Sequence, residues 1–298
     1  MLNPRLAKFH KLVLLLAGIV LAVIISALIA HHYLQTLHVM TQAYDLETQT
    51  PYQAPSCNQA QLNVLKPASR GSLLPAEFSL LVWNVYKYQD PRWQGTLANL
   101  LKTHHLALLQ EASSDSQVSQ FWQHRGWQGF GASAFSQDGR FFGVQNLAKV
   151  EGQLVCVELS PEPWIQLPKS TLVTLYPMAD TAAGLLVINV HGINFTLGTA
   201  DWNLQLANLF ALVERHVGPV IFAGDFNTWS RSRQLELREQ AKQVGLSEVS
   251  FTPDQRLVVM GEPLDHIYIK DIEVVSAKAY ALAGSDHFPM EVAFKAIN

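Results

Sequence analysis

VIFAGDFN, residues 220–227, begins as an unbroken apolar run from Val220 to Ala223 and changes character within two residues. A short apolar run closed by a turn signal reads as a buried strand. Side chains alternate across a strand, so Asp225 and Asn227 project to one side while Phe226 turns back toward the core. Gly224 lets the backbone turn sharply or lets another group approach closely. A carboxylate and a carboxamide at the carboxyl end of a buried strand suit a site in a layered α/β fold. The plainer alternative is a strand that closes in an Asx turn.

Outward from this stretch the same pattern recurs. Strands are predicted at 78–84, 106–111, 141–150, 153–159, 170–176 and 185–190, and again at 264–270, 273–280 and 290–295. Amphipathic helices are predicted at 92–103, 202–217 and 232–244. Residues 77–298 thus form one mixed α/β domain, with too many consecutive strands for a simple doubly wound sheet. An apolar fraction of 49% supports a sizeable packed core and excludes extensive disorder.

Ahead of this domain, Leu12 to Ala30 runs without a charge and with Ser26 as its one strongly polar residue. A helix of that length spans about 28 Å, the hydrocarbon thickness of a bilayer. We therefore expect a single transmembrane anchor over 12–34 after a cytoplasmic amino terminus, residues 1–11. Arg5, Lys8 and Lys11 precede the apolar run and no Lys or Arg follows it until Lys66, which by the positive-inside rule sends the rest of the chain across the membrane. In a Gram-negative bacterium that compartment is the periplasm. A cleaved signal peptide is the competing reading, disfavoured by the length of the apolar run and by Leu28 three residues before a cut after Ala30. A buried core helix is a third, and would have to lack any polar face. Residues 35–76 lose the apolar periodicity and read as a juxtamembrane linker, with a short helix near 58–66. Cys57 falls in that linker and Cys156 in an apolar strand; their spacing matches no zinc motif, and pairing between them is not legible.

Several strands deliver groups of the kind phosphoryl chemistry uses. They end in Asn84, Glu111, His191 and the Asp225/Asn227 pair, Asp265 opens another, and the loop before the last strand holds Ser285, Asp286 and His287. One such ending is ordinary, but this many converging at strand ends mark a site. No Walker loop, dinucleotide fingerprint or zinc-protease motif is present.

The ordered series WN (83–84), QE (110–111), NVH (189–191), GDFN (224–227), LDH (264–266) and SDH (285–287) resembles the endonuclease/exonuclease/phosphatase superfamily. That group includes DNase I-like nucleases, abasic-site endonucleases, inositol-polyphosphate phosphatases and neutral sphingomyelinases. LVWNVYK (81–87), LPKSTLVTLYP (167–177) and INVHGINFTLG (188–198) further resemble a bacterial branch, the YafD-like proteins. The resemblance implies a four-layered α/β sandwich, two packed mixed sheets flanked by helices, acting as a monomer on a phosphodiester of nucleic acid or of a phospholipid head group. It also implies roles. Glu111, with Asn84 and Asp286, would hold Mg²⁺ (or Mn²⁺), since hard cations prefer oxygen ligands. Asp225 would orient or deprotonate the attacking water, and Asn227 would hold a phosphoryl oxygen or the nucleophile in place. His287 would stabilise developing charge, with Asp265 favouring its protonated form, and His191 would be an acid for the leaving oxygen, with Asn194 beside it. The plainer alternatives are Asn84 as a turn cap and His191 as a wall residue. His266 reads as structural, and His104 and His105 as partners of helix-end carbonyls. Gln145 and Asn146 stand where the family's strand is mostly apolar or small, so a different pocket floor is expected.

A nuclease is the commonest activity in that superfamily. A lipid phosphodiesterase is the alternative among enzymes, and a non-catalytic adaptor the alternative of another class. Over residues 77–298, 16 Lys plus Arg stand against 22 Asp plus Glu, a formal charge of −6. Broad electrostatic grip on long nucleic acid is thereby disfavoured. Arg231 and Arg233, opening a helix just after Asn227, are the candidate exception as holders of substrate phosphate; the alternative is a solvated helix start.

Overall fold

In the computed structural model, described over residues 14–28, 37–60, 62, 73–179 and 181–297, the strands fall into two principal sheets. The first holds β1 (Leu37–Asp45), β2 (Pro51–Tyr52), β3 (Glu77–Asn84), β4 (Leu106–Ser113), β5 (Gln128–Gln137), β6 (Arg140–Ala148), β15 (Ile272–Ala279) and β16 (Met290–Ala296). Its spatial order is β15-β16-β3-β4-β6-β5-β1-β2. The second, ordered β11-β14-β10-β9-β8-β7, holds β7 (Gln153–Pro161), β8 (Pro168–Met178), β9 (Thr181–His191), β10 (Val220–Asp225), β11 (Ser247–Glu248) and β14 (Asp265–Lys270). A small ribbon pairs β12 (Val258–Val259) with β13 (Glu262–Pro263). The helices are α1 (residues 14–28), α2 (Trp93–Leu100), α3 (Ser116–Gln123), α4 (Ala200–Arg215) and α5 (Arg231–Gln243).

Alternation along the strands sorts the apolar side chains into layers. Leu80 and Val82 of β3, Leu106 and Leu108 of β4, Leu185 and Val187 of β9 and Ile221 and Ala223 of β10 fill the space between the sheets. Their neighbours Leu81, Trp83, Ala107 and Leu109 face α2 and α3, where Trp93, Leu97 and Trp122 meet them. Leu186, Ile188, Val190 and Phe222 face α4 and α5 through Leu206, Leu209 and Leu237. Strands buried on both faces need no polar alternation, which is why they read as continuous apolar runs. The result is the expected four-layered α/β sandwich, and both principal sheets mix parallel and antiparallel pairs.

Two regions differ from expectation. Leu37–Asp45, placed in the linker by its weak periodicity, is a strand that pairs antiparallel with β5, with Ala43 and Tyr44 fully buried. Cys57 is likewise buried and disulfide-bonded to Cys156 on β7, so residues 37–60 belong to the domain. Its partner β5, QGFGASAFSQ, escaped the sequence reading because it is built of small residues. The small residues make room: a Cβ on Gly131 would fall 2.0 Å from the Tyr44 ring. Most of the short helix expected near 58–66 lies outside the described residues. At the amino terminus, α1 carries exposed apolar side chains from Leu14 to Leu28, and among the described residues no helix is long and apolar enough to cross a membrane. Residues 1–13 and 29–34, on which the anchor expectation also rests, lie outside them.

Candidate active site

The strand parity that lines the core also aims the site. Asp225 continues the row of Ile221 and Ala223 toward the gap between the sheets. In register it lies opposite His191 on parallel β9 and opposite Asp265 on antiparallel β14. Three neighbouring strands therefore end in His191, Asp225 and Asp265 at one level. From the facing sheet, the Asn84 amide donates to Asp225 Oδ2 at 3.1 Å, while Asn84 Oδ1 accepts the Tyr86 N–H at 3.1 Å. Asn84 thus braces Asp225 across the sandwich and caps the turn after β3 at once.

Asn227 arrives by a different route from the simple alternation expected of it. Its backbone is left-handed, φ 52°, and its N–H donates to Asp225 Oδ1 at 2.9 Å. The plain Asx turn and the shared opening are the same structure. The Asn227 side chain donates to Gly192 O at 2.8 Å, and a Cβ on Gly192 would lie 2.6 Å from Phe226 O, so the approach of these two loops requires glycine.

Parity alone would send Glu111 the wrong way, onto the face of Ala107 and Leu109 that meets the helices. A bulge re-aims it: the β4–β6 register slips between Leu109 and Ala112, and Glu111 takes φ 49°. Bulges of this kind are a recurrent means of turning a side chain into a site. Glu111 Oε2 accepts from Lys87 Nζ at 2.5 Å, and Oε1 lies 3.8 Å from His191 Nε2. Lys87 itself sits in a run of three left-handed residues, Tyr86 to Tyr88. From β8, Lys169 Nζ donates to His191 Nε2 at 2.9 Å. Neither lysine was identified as a site residue from sequence, although both stand in the segments that carry the branch resemblance.

His287 completes the mouth. Its loop is pinned by Trp83 Nε1, which donates to His287 O at 2.9 Å, and by the Ser285 hydroxyl, which donates to Asn84 O at 2.6 Å. His287 Nδ1 donates to Asp265 Oδ2 at 2.8 Å, leaving Nε2 3.9 Å from Asp225 Oδ2. Asp265 Oδ1 is buried with no hydrogen-bond partner. Asp286 is exposed, its Oδ1 3.2 Å from Ser285 Oγ. Among the described residues, Asp225, Asp265 and His287 offer ligand atoms within 4.8 Å of one another.

Electrostatics divide the roles. Burial disfavours the charged form of His287, but Asp265 and Asp225 outweigh it and raise the imidazole to about 10, so the ring is protonated at neutral pH. Asp225 is raised to about 6, mainly by burial, with His287 opposing and Asp265 adding to the rise. Burial also works against Glu111 as an anion, yet His191, at the low pH where it carries charge, and Lys87 and Lys169 hold it down at about 2. His191 is pushed well below its usual range by burial and by Lys169, so it is neutral and its Nε2 is an acceptor. That is the opposite of the proton donor expected at this position.

Gln110, Asn146 and Asn189 form a buried polar network between the sheets, whereas the Gln145 side chain turns the other way, to Tyr44 and Tyr88 on the helix-facing side. Gln110 Nε2 donates to Asn189 Oδ1 at 2.6 Å, and Asn189 donates to Leu109 O and Gln145 O. Asn146 reaches Thr174 Oγ1 on the other sheet at 3.0 Å.

The arginine pair does not act as a pair. Arg233 is fully buried; its guanidinium donates to Ile193 O and Asn227 O at 3.0 and 2.7 Å and to Asn194 O at 3.2 Å. It clamps the loops that follow His191 and Asp225 and has no free face for a phosphate, which corrects its expected role. Arg231 is exposed and lies 3.5 Å from Glu262. Asn194 sits on the clamped loop, its N–H held by Glu162 Oε1 at 2.7 Å. His266 is structural as expected, buried between Glu248 and Thr228 at 2.7 Å from each. His104 Nδ1 meets the helix-end carbonyl of Leu100, and His105 Nδ1 meets Ser79.

A match to the model of the Endonuclease/Exonuclease/phosphatase family runs over residues 81–287, from the strand carrying Asn84 to His287 itself. The chain belongs to this family. Bacterial members similar to it include a UPF0294 protein from Vibrio cholerae, 40% identical over 233 residues, covering 78% of this chain and 83% of that one. Another, from Vibrio vulnificus, is 37% identical over 279 residues, covering 93% and 95%. Among solved structures, an endonuclease/exonuclease/phosphatase from Bacteroides vulgatus superposes with a TM-score of 0.56 at 12% identity, covering 74% of this chain and 99% of that one. D. rerio TDP2 complexed with single strand DNA product gives 0.52 at 17% identity, covering 74% and 99%. The mannosyl-6-phosphatase of Bacteroides thetaiotaomicron gives 0.54 at 15%, covering 73% and 99%. At these identities the structural likeness shows the fold alone; the family match carries the coarser statement, a hydrolase acting on phosphoester bonds.

Proposed function

We propose that this chain is a membrane-anchored, divalent-metal-dependent phosphodiesterase. The observation that carries the reaction class is the juxtaposition of Asp225, a carboxylate with a raised pKa, and protonated His287, whose Nε2 lies 3.9 Å from Asp225 Oδ2. In this reading Asp225 accepts the proton of the attacking water, with its two oxygens oriented by Asn84 and by the Asn227 N–H. His287 donates to a phosphoryl oxygen as negative charge builds, and Asp265 keeps it protonated and fixes its ring. Asn227 positions the phosphate edge, and neutral His191 orients Lys169 rather than supplying a proton.

The donor set suits a hard cation: Glu111, Asn84 and Asp286 offer oxygens, and the unpartnered Asp265 Oδ1 is a further acceptor without a donor. Mg²⁺, or Mn²⁺ in its place, would polarise the phosphoryl group there. Glu111→Gln tests this. The variant retains the fold but loses metal-dependent hydrolysis of bis-p-nitrophenyl phosphate and loses Mn²⁺ binding followed by electron paramagnetic resonance. Full turnover at matched metal would remove Glu111 from the site.

The anchor and the export of the domain rest on the apolar run after Arg5, Lys8 and Lys11 and on the Cys57–Cys156 disulfide, which belongs in an oxidising compartment such as the periplasm. A reporter fused after Asn298 is active only if exported; activity only in the cytoplasm would overturn the orientation. A nuclease acting on exposed ends is one form of the activity, supported by the likeness to TDP2 with its DNA product. The formal charge of −6 over residues 77–298 speaks against a grip on long duplex and is equally compatible with the other form, a lipid head-group phosphodiesterase.

A further inference from the structure

Beside Glu111 and His191 opens a cavity of about 230 Å³ with two kinds of wall. Lys87 and Lys169 face the catalytic side; Phe135 and Phe142, stacked with ring centroids 5.2 Å apart, and Ile165 form the other. Beyond the cavity the loop tips are apolar and exposed. Trp164 and Ile165, in the β7–β8 turn, are 66% and 52% exposed, and Phe195 and Leu197, in the loop after His191, are 53% and 80% exposed. Glu162 ties the two loops together by accepting the N–H groups of Asn194 and Phe195 at 2.7 and 2.8 Å. Four large apolar side chains held at one rim, with charged groups recessed behind them, form a surface that water leaves readily.

The topology says what lies against that rim. Leu37, the first residue of β1, pairs with Gln137, and Val39 pairs with Phe135. Phe135 pairs with Phe142, and Phe142 with Ser113, two residues past Glu111. The chain therefore enters the domain at the active-site end of the first sheet. Eight residues separate this entry from the apolar helix 14–28, at most about 30 Å of chain. An anchor entering at the opposite end would hold the site away from the bilayer; with helix 14–28 as the anchor proposed above, the site is held near it.

We propose that the active-site mouth docks on the lipid bilayer through Trp164, Ile165, Phe195 and Leu197, and that the substrate phosphodiester is a phospholipid head group. This rests on the phosphodiesterase reading above. Apolar tips seat at the head-group boundary, the stacked phenylalanines take the adjoining glycerol and first chain carbons, and Lys87 and Lys169 meet the phosphate. In the reaction a water oxygen bonds to phosphorus as Asp225 takes one of its protons, the ester bond to one alcohol breaks, and that proton ends on the leaving alcohol, giving a phosphomonoester and a free alcohol.

The test uses the full chain in phosphatidylcholine vesicles. Acyl chains brominated near the head group should quench the fluorescence component present in the wild type and missing from Trp164→Phe, and chains brominated near their ends should not. In parallel, hydrolysis of vesicle lipid, a single-stranded oligonucleotide and bis-p-nitrophenyl phosphate is compared. Trp164→Ser combined with Leu197→Ser should lower the ratio of lipid to soluble-diester hydrolysis by about tenfold or more, given the apolar surface withdrawn from the interface. Absence of the quenched component overturns the docking. Cleavage of the oligonucleotide with none of the lipid overturns the substrate. Quenching without hydrolysis of any of the three confirms the docking and refutes the phosphodiesterase reading instead.

Discussion

Replacing Arg233 by Met separates two roles that place the same residue beside the same site. A guanidinium that gripped substrate phosphate would be dispensable for stability, and its loss would raise KM. The structure instead has it donating to Ile193 O, Asn194 O and Asn227 O, packed with its charge centre 4.7 Å from the Trp229 ring. Hydrogen bonds from a charged donor contribute about 1.5–3 kcal/mol each, and the stacking about 1 kcal/mol. Against this stands the burial that pulls the guanidinium down to about 10, and Nε, which is buried without a partner. Met fills the stem volume and removes that burden, but leaves three carbonyls without donors. The net loss is about 3 kcal/mol, a fall in Tm of about 6 to 12 °C for a domain of this size. Because one of those carbonyls belongs to Asn227, kcat should fall while KM holds, and Arg233→Lys, lacking the fork, should rescue little. Thermal unfolding in detergent with metal chelated, together with steady-state hydrolysis of bis-p-nitrophenyl phosphate, reads both. An unchanged Tm with a raised KM would refute the clamp and restore the phosphate-binding role.

Asp225→Asn should abolish turnover and yet stabilise the metal-free protein at pH 8. A carboxylate raised to about 6 by burial contributes stability that is fully present below its unfolded value and is lost as pH rises through 6, and the amide removes that loss. Equal stability of variant and wild type from pH 4 to 8 would contradict it. The Asp265–His287 pair has its own window. A histidine raised to about 10 contributes stability present below its unfolded value and lost as pH rises through 10, so Asp265→Asn should destabilise at pH 6 and much less at pH 11 in chemical denaturation. Cys57→Ser should cost about 2–4 kcal/mol, since the bond closes a sequence separation of 99 residues, and the wild type under reductant should show the same fall in Tm.

Residues whose roles follow from local pattern were legible in the chain. VIFAGDFN reads as a strand because its apolar run is buried on both faces, and strand parity by itself carries Asp225 to the gap between the sheets. The ordered strand endings from Asn84 to His287 likewise carry the family resemblance, which implied the reaction class. Groups whose position depends on a distant surface were not legible. Glu111 reaches the site only because a bulge in β4 reverses its parity, and Lys87 and Lys169 count as site residues only once the sheets bring them to Glu111 and His191. Arg233 looked like a phosphate ligand because charge beside a site at a helix start is a local signal; burial between two loops is not. Burial, and then Lys169 arriving from β8, turned His191 from the expected donor into an acceptor. β1 passed for a tether because its pairing with β5, distant in sequence, leaves no mark in its local periodicity. Side-chain type and strand period are properties of neighbouring residues, whereas the direction a group points, its burial and its protonation depend on contacts that the chain makes only when distant segments close on one another.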